Sequence, residues 1–101
     1  MRRGHVYEIV FKGSAAHVLV VTSDNVNEHT GSATCVMVYP ATDISPSIVD
    51  VPVGRPSQGT VILGAFKTFS RPVFAAGTDL GEIDPRAMEA VEIGLRAVFD
   101  L

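Results

Sequence analysis

Two short apolar runs, both rich in β-branched and aromatic residues, constrain the fold of this chain most strongly. They cover residues 17–23 and 33–42, and Pro40 interrupts the second run near its end. Runs of this length and composition are typical of buried β-strands, and a proline opens the end of such a strand into a loop. We therefore predict that the two runs form the central pair of a small sheet, with Thr42 at its mouth.

Three further strands are predicted around this pair, over residues 4–11, 47–53 and 60–63. The small residues 12–16 form a turn that joins the first strand to the strand at 17–23 in a hairpin. Pro52 cannot donate a backbone hydrogen bond, so it suits an edge strand. Gly64 is expected to end the fifth strand.

The segments between and after these strands are less regular. The polar residues 24–32 are predicted to hold one helical turn or an irregular loop. Residues 65–69 are predicted to be extended or to form a single turn, and a turn at 70–72 is followed by a short stretch at 73–76.

One helix is clearly predicted at the end of the chain. Asp84 is a good N-cap, and Pro85 suits the first helical position, where no backbone N–H is needed. Apolar residues then recur at helical spacing along one face; they are Met88, Val91, Leu95, Val98 and Phe99. We predict that this helix closes a small SH3-like β-barrel with α-helical content.

Length and composition predict one soluble globular domain spanning residues 1–101. The chain is 47% hydrophobic with a net charge of −3, which argues weakly against a dedicated nucleic-acid binder. No apolar run reaches the roughly 18–20 residues that cross a bilayer, and no signal peptide is visible, so a cytoplasmic protein without a membrane partner is expected. Cys35 is expected to be a buried thiol, and the dispersed histidines predict no metal or cofactor.

Several segments, taken in order, resemble the MazF/PemK (Kid) toxins. Residues 3–7 are similar to the opening of those toxins, 18–24 and 38–42 to their second and third strands, and 61–68 and 80–84 to later segments. The resemblance covers nearly the whole chain. It implies an SH3-like barrel, a homodimer and the toxin component of a type II toxin–antitoxin system. It also implies sequence-specific, metal-independent cleavage of single-stranded RNA such as mRNA, with a cognate antitoxin whose disordered acidic tail folds into the RNA groove.

The resemblance also implies a set of site residues. The family threonine after the third strand corresponds to Thr42, which would stabilise the phosphorane. The arginine expected before the second strand is absent, because that position falls on Ala16 and His17; His17 is therefore the candidate general base or acid. Lys67 stands where the family has a second arginine. We predict that RNA phosphates contact a small polar and basic group, namely Lys12, Ser14, Lys67 and Arg71.

Two alternatives stay open at this stage. His17 can simply begin a strand and Thr42 can simply cap a turn. The chain can then be a toxin homologue without cleavage activity, or a CcdB-like protein that binds DNA gyrase. Residues 98–101 do not match the Trp-Gly-Ile ending of the gyrase-binding toxins, which disfavours gyrase. No role is expected for His5 or His29, which have no obvious partners in the sequence.

Overall fold

A computed structural model of the chain describes residues 1–40 and 50–100. The described strands are β1 (His5–Phe11), β2 (Ser14–Val20), β3 (Ser32–Tyr39), β4 (Asp50–Val53), β5 (Gly59–Ser70) and β6 (Thr78–Glu82), and the helices are α1 (Asp24–Thr30), α2 (Arg71–Ala75) and α3 (Pro85–Val98). These strands form one antiparallel sheet in the order β4-β5-β3-β2-β1-β6, curled into a half-barrel. The predicted β-barrel architecture with a C-terminal helix is confirmed, and β2 and β3 are its central pair.

The hairpin between β1 and β2 is tighter than the sequence pattern predicts. Its loop contains only Lys12 and Gly13, which both have positive φ, at 52° and 79°. A two-residue loop of this kind matches the natural twist of paired strands. Strand β2 therefore begins at Ser14, and the register pairs Glu8 directly with His17.

Three predictions for the second half of the chain are wrong. Gly64 does not end β5, because the strand passes through it in a bulge: Val36 pairs with Phe66, whereas the next residue, Met37, pairs with Ile62. The turn predicted at 70–72 and the stretch at 73–76 form α2, since Pro72 lies in a first helical turn, where it is tolerated. The unpredicted strand β6 pairs with β1 at the sheet edge.

The sheet buries apolar side chains on both faces because successive strand residues point to opposite sides. We call one side the α3 face; Val6, Leu19, Val36, Val61 and Leu63 form its core with Val91 of the helix. We call the other side the α2 face; its core contains Tyr7, Ile9, Val18, Cys35 and Met37 with Phe74 of α2. Each face therefore has its own hydrophobic core.

Helix α3 begins and packs as predicted. The Asp84 side chain accepts a hydrogen bond of 2.9 Å from the Arg86 backbone N–H, and Val91 is fully buried. The last residue of the predicted apolar face is less buried than Val91: Phe99 contacts the Phe66 ring but remains 56% exposed. Pro52 lies in the edge strand β4, as predicted. None of the helices in the described ranges is long and apolar enough to cross a membrane.

Candidate functional site

A carboxylate, an imidazole and a hydroxyl lie in a row on the α3 face. Glu8 and His17 are direct cross-strand partners in the β1–β2 hairpin, and the His17 Nε2 atom lies 2.9 Å from the Glu8 Oε2 atom. On the other side of the ring, the His17 Nδ1 atom lies 2.5 Å from the Ser57 Oγ atom. Ser57 belongs to the turn at residues 54–58, which joins β4 to β5 and folds over the imidazole.

The three residues differ in their exposure to solvent. The Ser57 residue is only 7% exposed, whereas the side chains of His17 and Glu8 are 32% and 48% exposed. Water screens the pair of His17 and Glu8, so its main effect is to orient the ring rather than to stabilise the fold. An imidazole held in this way can accept a proton at one nitrogen while the carboxylate supports the other.

His17 and Ser57 line a groove with a volume of about 550 Å³. The ends of β2 and β3 form one wall of this groove, with Ala16, Val38 and Tyr39 among the lining residues, and Pro40 lies at its edge. Thr42 follows Pro40 by two residues in the sequence, but it lies outside the described residues. The predicted histidine therefore lines the groove, and the predicted threonine follows a groove residue, Pro40, in the sequence.

The predicted RNA-binding residues Lys12 and Lys67 meet on the α2 face, around Phe11. Their Nζ atoms lie 5.3 and 5.8 Å from the centre of the Phe11 ring. Ser14 is exposed and pairs with Phe11 across the hairpin. An aromatic ring flanked by two ammonium groups is a surface that suits a nucleotide, through stacking and phosphate contacts. The structure brings these residues together, but on the opposite side of the sheet from His17.

Arg71 lies apart from both groups. It begins α2 and lines a separate cavity of about 510 Å³ with Arg2, Tyr7, Glu28 and other residues. Acidic and basic side chains therefore share this cavity, so it does not present one sign of charge to a ligand. Among the described site residues, Arg71 is the one that the structure does not bring near either the groove or Phe11.

His5 and His29, for which the sequence shows no obvious partners, each have a contact in the structure. The His5 Nδ1 atom lies 3.0 and 3.1 Å from the two carboxylate oxygens of Asp79. Burial raises the pKa of Asp79, but hydrogen bonds from His5 and from the Gly81 backbone N–H outweigh it, so the net pKa is lowered. His29 hydrogen-bonds the Asn25 backbone carbonyl within its own helix.

Cys35 is fully buried, as predicted. Burial raises the pKa of its thiol to about 12, because an ionised thiolate is poorly solvated among apolar side chains. The nucleophilic thiolate is therefore absent at neutral pH, and Cys35 is a packing residue of the α2 face.

Three residues of these clusters were missed at the level of sequence: Glu8, Ser57 and Phe11. A signal existed for Glu8, because a two-residue loop at Lys12 and Gly13 aligns Glu8 with His17 across the hairpin. The longer turn predicted over residues 12–16 implies a different strand register, in which Glu8 and His17 are not aligned. Ser57 left no comparable signal, since it is 40 residues from His17 in sequence and reaches it only through the folding of the β4–β5 turn.

Comparison with solved structures identifies the fold. No protein-family model matches the chain, and no curated protein matches it in sequence. An endoribonuclease in complex with its cognate antitoxin, from a mycobacterial species, superimposes with a TM-score of 0.88 at 25% identity, over 100% of this chain and 96% of that one.

Two more distant structures share the fold. A MazE-MazF complex from Deinococcus radiodurans has a TM-score of 0.84 at 16% identity, over 100% of this chain and 96% of that one. The Mycobacterium tuberculosis toxin MazF-mt6 has a TM-score of 0.74 at 21% identity, over 95% of this chain and 97% of that one. The chain has a MazF-like toxin fold.

Proposed function

We propose that this MazF-fold chain is the toxin of a type II toxin–antitoxin system and cleaves single-stranded RNA, such as mRNA, at specific short sequences without a metal ion. The observation that carries the proposal is the row Glu8, His17 and Ser57 beside the 550 Å³ groove. His17 is a proton acceptor that lines this groove. An endoribonuclease that is 25% identical in sequence has the same fold.

The proposed reaction uses the ribose 2′-hydroxyl as the internal nucleophile. His17 takes up the proton of this hydroxyl, the 2′-oxygen forms a bond to phosphorus, and the bond from phosphorus to the 5′-oxygen breaks. The leaving oxygen takes a proton from water, and the hydroxide formed takes up the proton held by His17. Thr42 is proposed to donate a hydrogen bond to the phosphorane, where negative charge develops. The products are a 2′,3′-cyclic phosphate and a free 5′-hydroxyl.

Binding of the rest of the RNA is proposed to involve the tip of the β1–β2 hairpin. Ala15 and Ala16 line the groove, and Ser14 and Lys12 follow at the tip. A strand that leaves the groove over this tip reaches Lys12 and Lys67 around Phe11. The two ammonium groups then neutralise flanking phosphates. Arg71 is proposed to contact phosphates further along the strand.

The partners proposed for this chain are a cognate antitoxin and a second copy of itself. The mycobacterial endoribonuclease and the Deinococcus MazF were both solved with their antitoxins. The exposed ring of Phe99, whose centre lies 5.2 Å from that of Phe66, offers apolar surface for the second copy. Light scattering on the purified chain, compared with Phe99→Ser, tests the homodimer, and the variant is expected to dissociate more readily.

One observation favours a second candidate, a toxin homologue that binds RNA or a protein target, such as gyrase, without cleavage. Ala16 lines the groove at the position aligned with the family arginine, so this position supplies no positive charge. Lys67 does not replace that charge in the groove, because its ammonium group lies over Phe11 on the other face. Stabilisation of the phosphorane then depends on Thr42 and on groups brought by a partner copy.

The test is to incubate the purified protein with a long single-stranded RNA in EDTA. We expect discrete fragments with 2′,3′-cyclic phosphate ends, and their loss in Thr42→Ala and in His17→Ala. His29→Ala is the matched control, since this exposed histidine bonds only to its own helix among the described contacts. Intact RNA from folded protein contradicts the ribonuclease proposal and favours the second candidate, which binding to RNA and pull-down of gyrase then examine.

A further inference from the structure

The contacts of the His17 ring determine where its proton lies. An ionised carboxylate accepts hydrogen bonds and cannot donate them, so the His17 Nε2 atom must carry the proton it shares with Glu8 at 2.9 Å. In the neutral ring the other nitrogen is then an acceptor. The Ser57 hydroxyl, 2.5 Å from Nδ1, therefore donates its hydrogen to the ring.

We propose that Ser57 relays the proton from the RNA 2′-hydroxyl to His17 and that Glu8 is the positioning residue that keeps Nδ1 free to receive it. This inference rests on the proposed ribonuclease function. Glu8 occupies the Nε2 side of the ring and the Ser57 hydroxyl occupies the Nδ1 side, so a proton from a hydroxyl in the groove reaches Nδ1 through Ser57, which lines the groove.

The 2′-hydroxyl gives its proton to the Ser57 Oγ atom while Ser57 gives its own proton to the His17 Nδ1 atom. The 2′-oxygen forms its bond to phosphorus, the bond to the 5′-oxygen breaks, and the leaving oxygen takes a proton from water. The resulting hydroxide takes the proton from Nδ1 and restores the neutral ring. Glu8 stabilises the imidazolium formed between these events.

The burial of Ser57 fixes its hydroxyl beside the imidazole. At 7% exposure, the residue is held by the turn at 54–58 and has little freedom to rotate away from the ring. A hydroxyl held at fixed distance from a base is pre-organised, which lowers the cost of the transfer. Glu8 is more exposed, and its cross-strand register with His17 holds it in place.

The test combines steady-state cleavage of RNA with nitrogen NMR of the His17 ring in the absence of RNA. Ser57→Ala is expected to lower kcat by about 10²-fold with KM nearly unchanged, the range typical for loss of a proton-transfer group. Ser57→Thr keeps a hydroxyl and is expected to recover most of the rate. Glu8→Gln is expected to lower kcat by about tenfold.

The NMR spectrum separates the two roles. In its neutral form, the ring of the wild type is expected to show one tautomer with the proton on Nε2. Ser57→Ala keeps this tautomer because Glu8 remains, whereas Glu8→Gln mixes both tautomers because an amide can also donate. Glu89→Gln, an exposed change on α3, is the charge-matched control and should alter neither measurement. Circular dichroism verifies that each variant is folded.

The outcomes distinguish this inference from the proposed function. If Ser57→Ala has the same kcat as the wild type, the relay is overturned and the proposed ribonuclease function is unaffected. A proton on Nδ1 in the wild type overturns the role of Glu8 whether or not RNA is cut. Intact RNA with the wild type overturns the proposed function and with it the relay, whereas the ring spectrum still decides whether Glu8 sets the tautomer.

Discussion

The two faces of the sheet each hold a histidine paired with a carboxylate, and the pairs have nearly equal distances. On the α3 face the His17 Nε2 atom lies 2.9 Å from Glu8, and on the α2 face the His5 Nδ1 atom lies 3.0 Å from Asp79. The surroundings differ. His17 uses its second nitrogen to contact Ser57 beside a groove, whereas Asp79 also accepts a bond of 2.9 Å from the Gly81 backbone N–H.

The difference shows that a pair of histidine and carboxylate becomes a candidate site when the second ring nitrogen contacts a hydroxyl beside a groove. Both oxygens of Asp79 lie near His5, and the pair links β1 to β6 at the sheet edge. Such a pair serves the fold. The pair of Glu8 and His17 leaves a ring nitrogen and a hydroxyl directed toward a groove, which is the arrangement that proton transfer requires.

The largest expected effect comes from removing each histidine in turn. His17→Ala is expected to lower the rate of RNA cleavage by about 10²- to 10⁴-fold, the range for a general base. His5→Ala should leave the rate within about twofold, because His5 contacts neither the groove nor Ser57. Single-turnover cleavage assays measure both. Equal losses in the two variants would contradict the functional distinction between the faces.

A core substitution on the α2 face tests whether stability and activity separate. Phe74 is 6% exposed and packs edge-on against Tyr7, with ring centres 5.1 Å apart. Phe74→Ala is expected to lower the free energy of unfolding by about 3–5 kcal/mol, measured by urea denaturation. At a temperature where the variant stays folded, cleavage should persist, since Glu8 and His17 lie on the other face. Loss of cleavage in the folded variant would show that the faces are coupled.

Removal of positive charge from the α2 face is expected to affect binding more than chemistry. The double change of Lys12 and Lys67 to alanine should raise KM for RNA by about fivefold and leave kcat nearly unchanged. The dependence of KM on salt should become weaker as well, because fewer counterions are released. Arg86→Ala, an exposed cation on α3, is the matched control. A fall in kcat with unchanged KM would instead place these lysines at the reacting phosphate.

The smallest expected effect concerns acid stability. The lowered pKa of Asp79 means that its carboxylate stabilises the fold above the unfolded pKa, near 3.9, and that this contribution is lost as the pH falls through the folded value. Between pH 5 and pH 2.5 the melting temperature should fall less in His5→Ala than in the wild type. The effect is modest because the Asp79 side chain is 40% exposed and solvent screens the pair. An unchanged pH profile would show that His5 does not stabilise this carboxylate.

Much of the central architecture was predictable because it depends on local signals. The β-branched runs predicted the pair β2 and β3, Pro52 predicted an edge strand, and Asp84 with Pro85 predicted the start of α3. Predictions failed where a local signal was ambiguous. Gly64 suggests a strand end in isolation, yet neighbouring strands hold the backbone through it in a bulge.

The candidate site was only partly predictable. The sequence by itself determined that His17 lies in a strand joined to the first strand by a hairpin, and that Pro40 and Thr42 follow the next strand of the sheet. Only the tertiary structure decided that Ser57 meets His17 and that Lys67 meets Phe11 on the other face. Strand periodicity and turn chemistry act over a few residues, whereas these contacts depend on how packing curls the sheet and folds the β4–β5 turn over it.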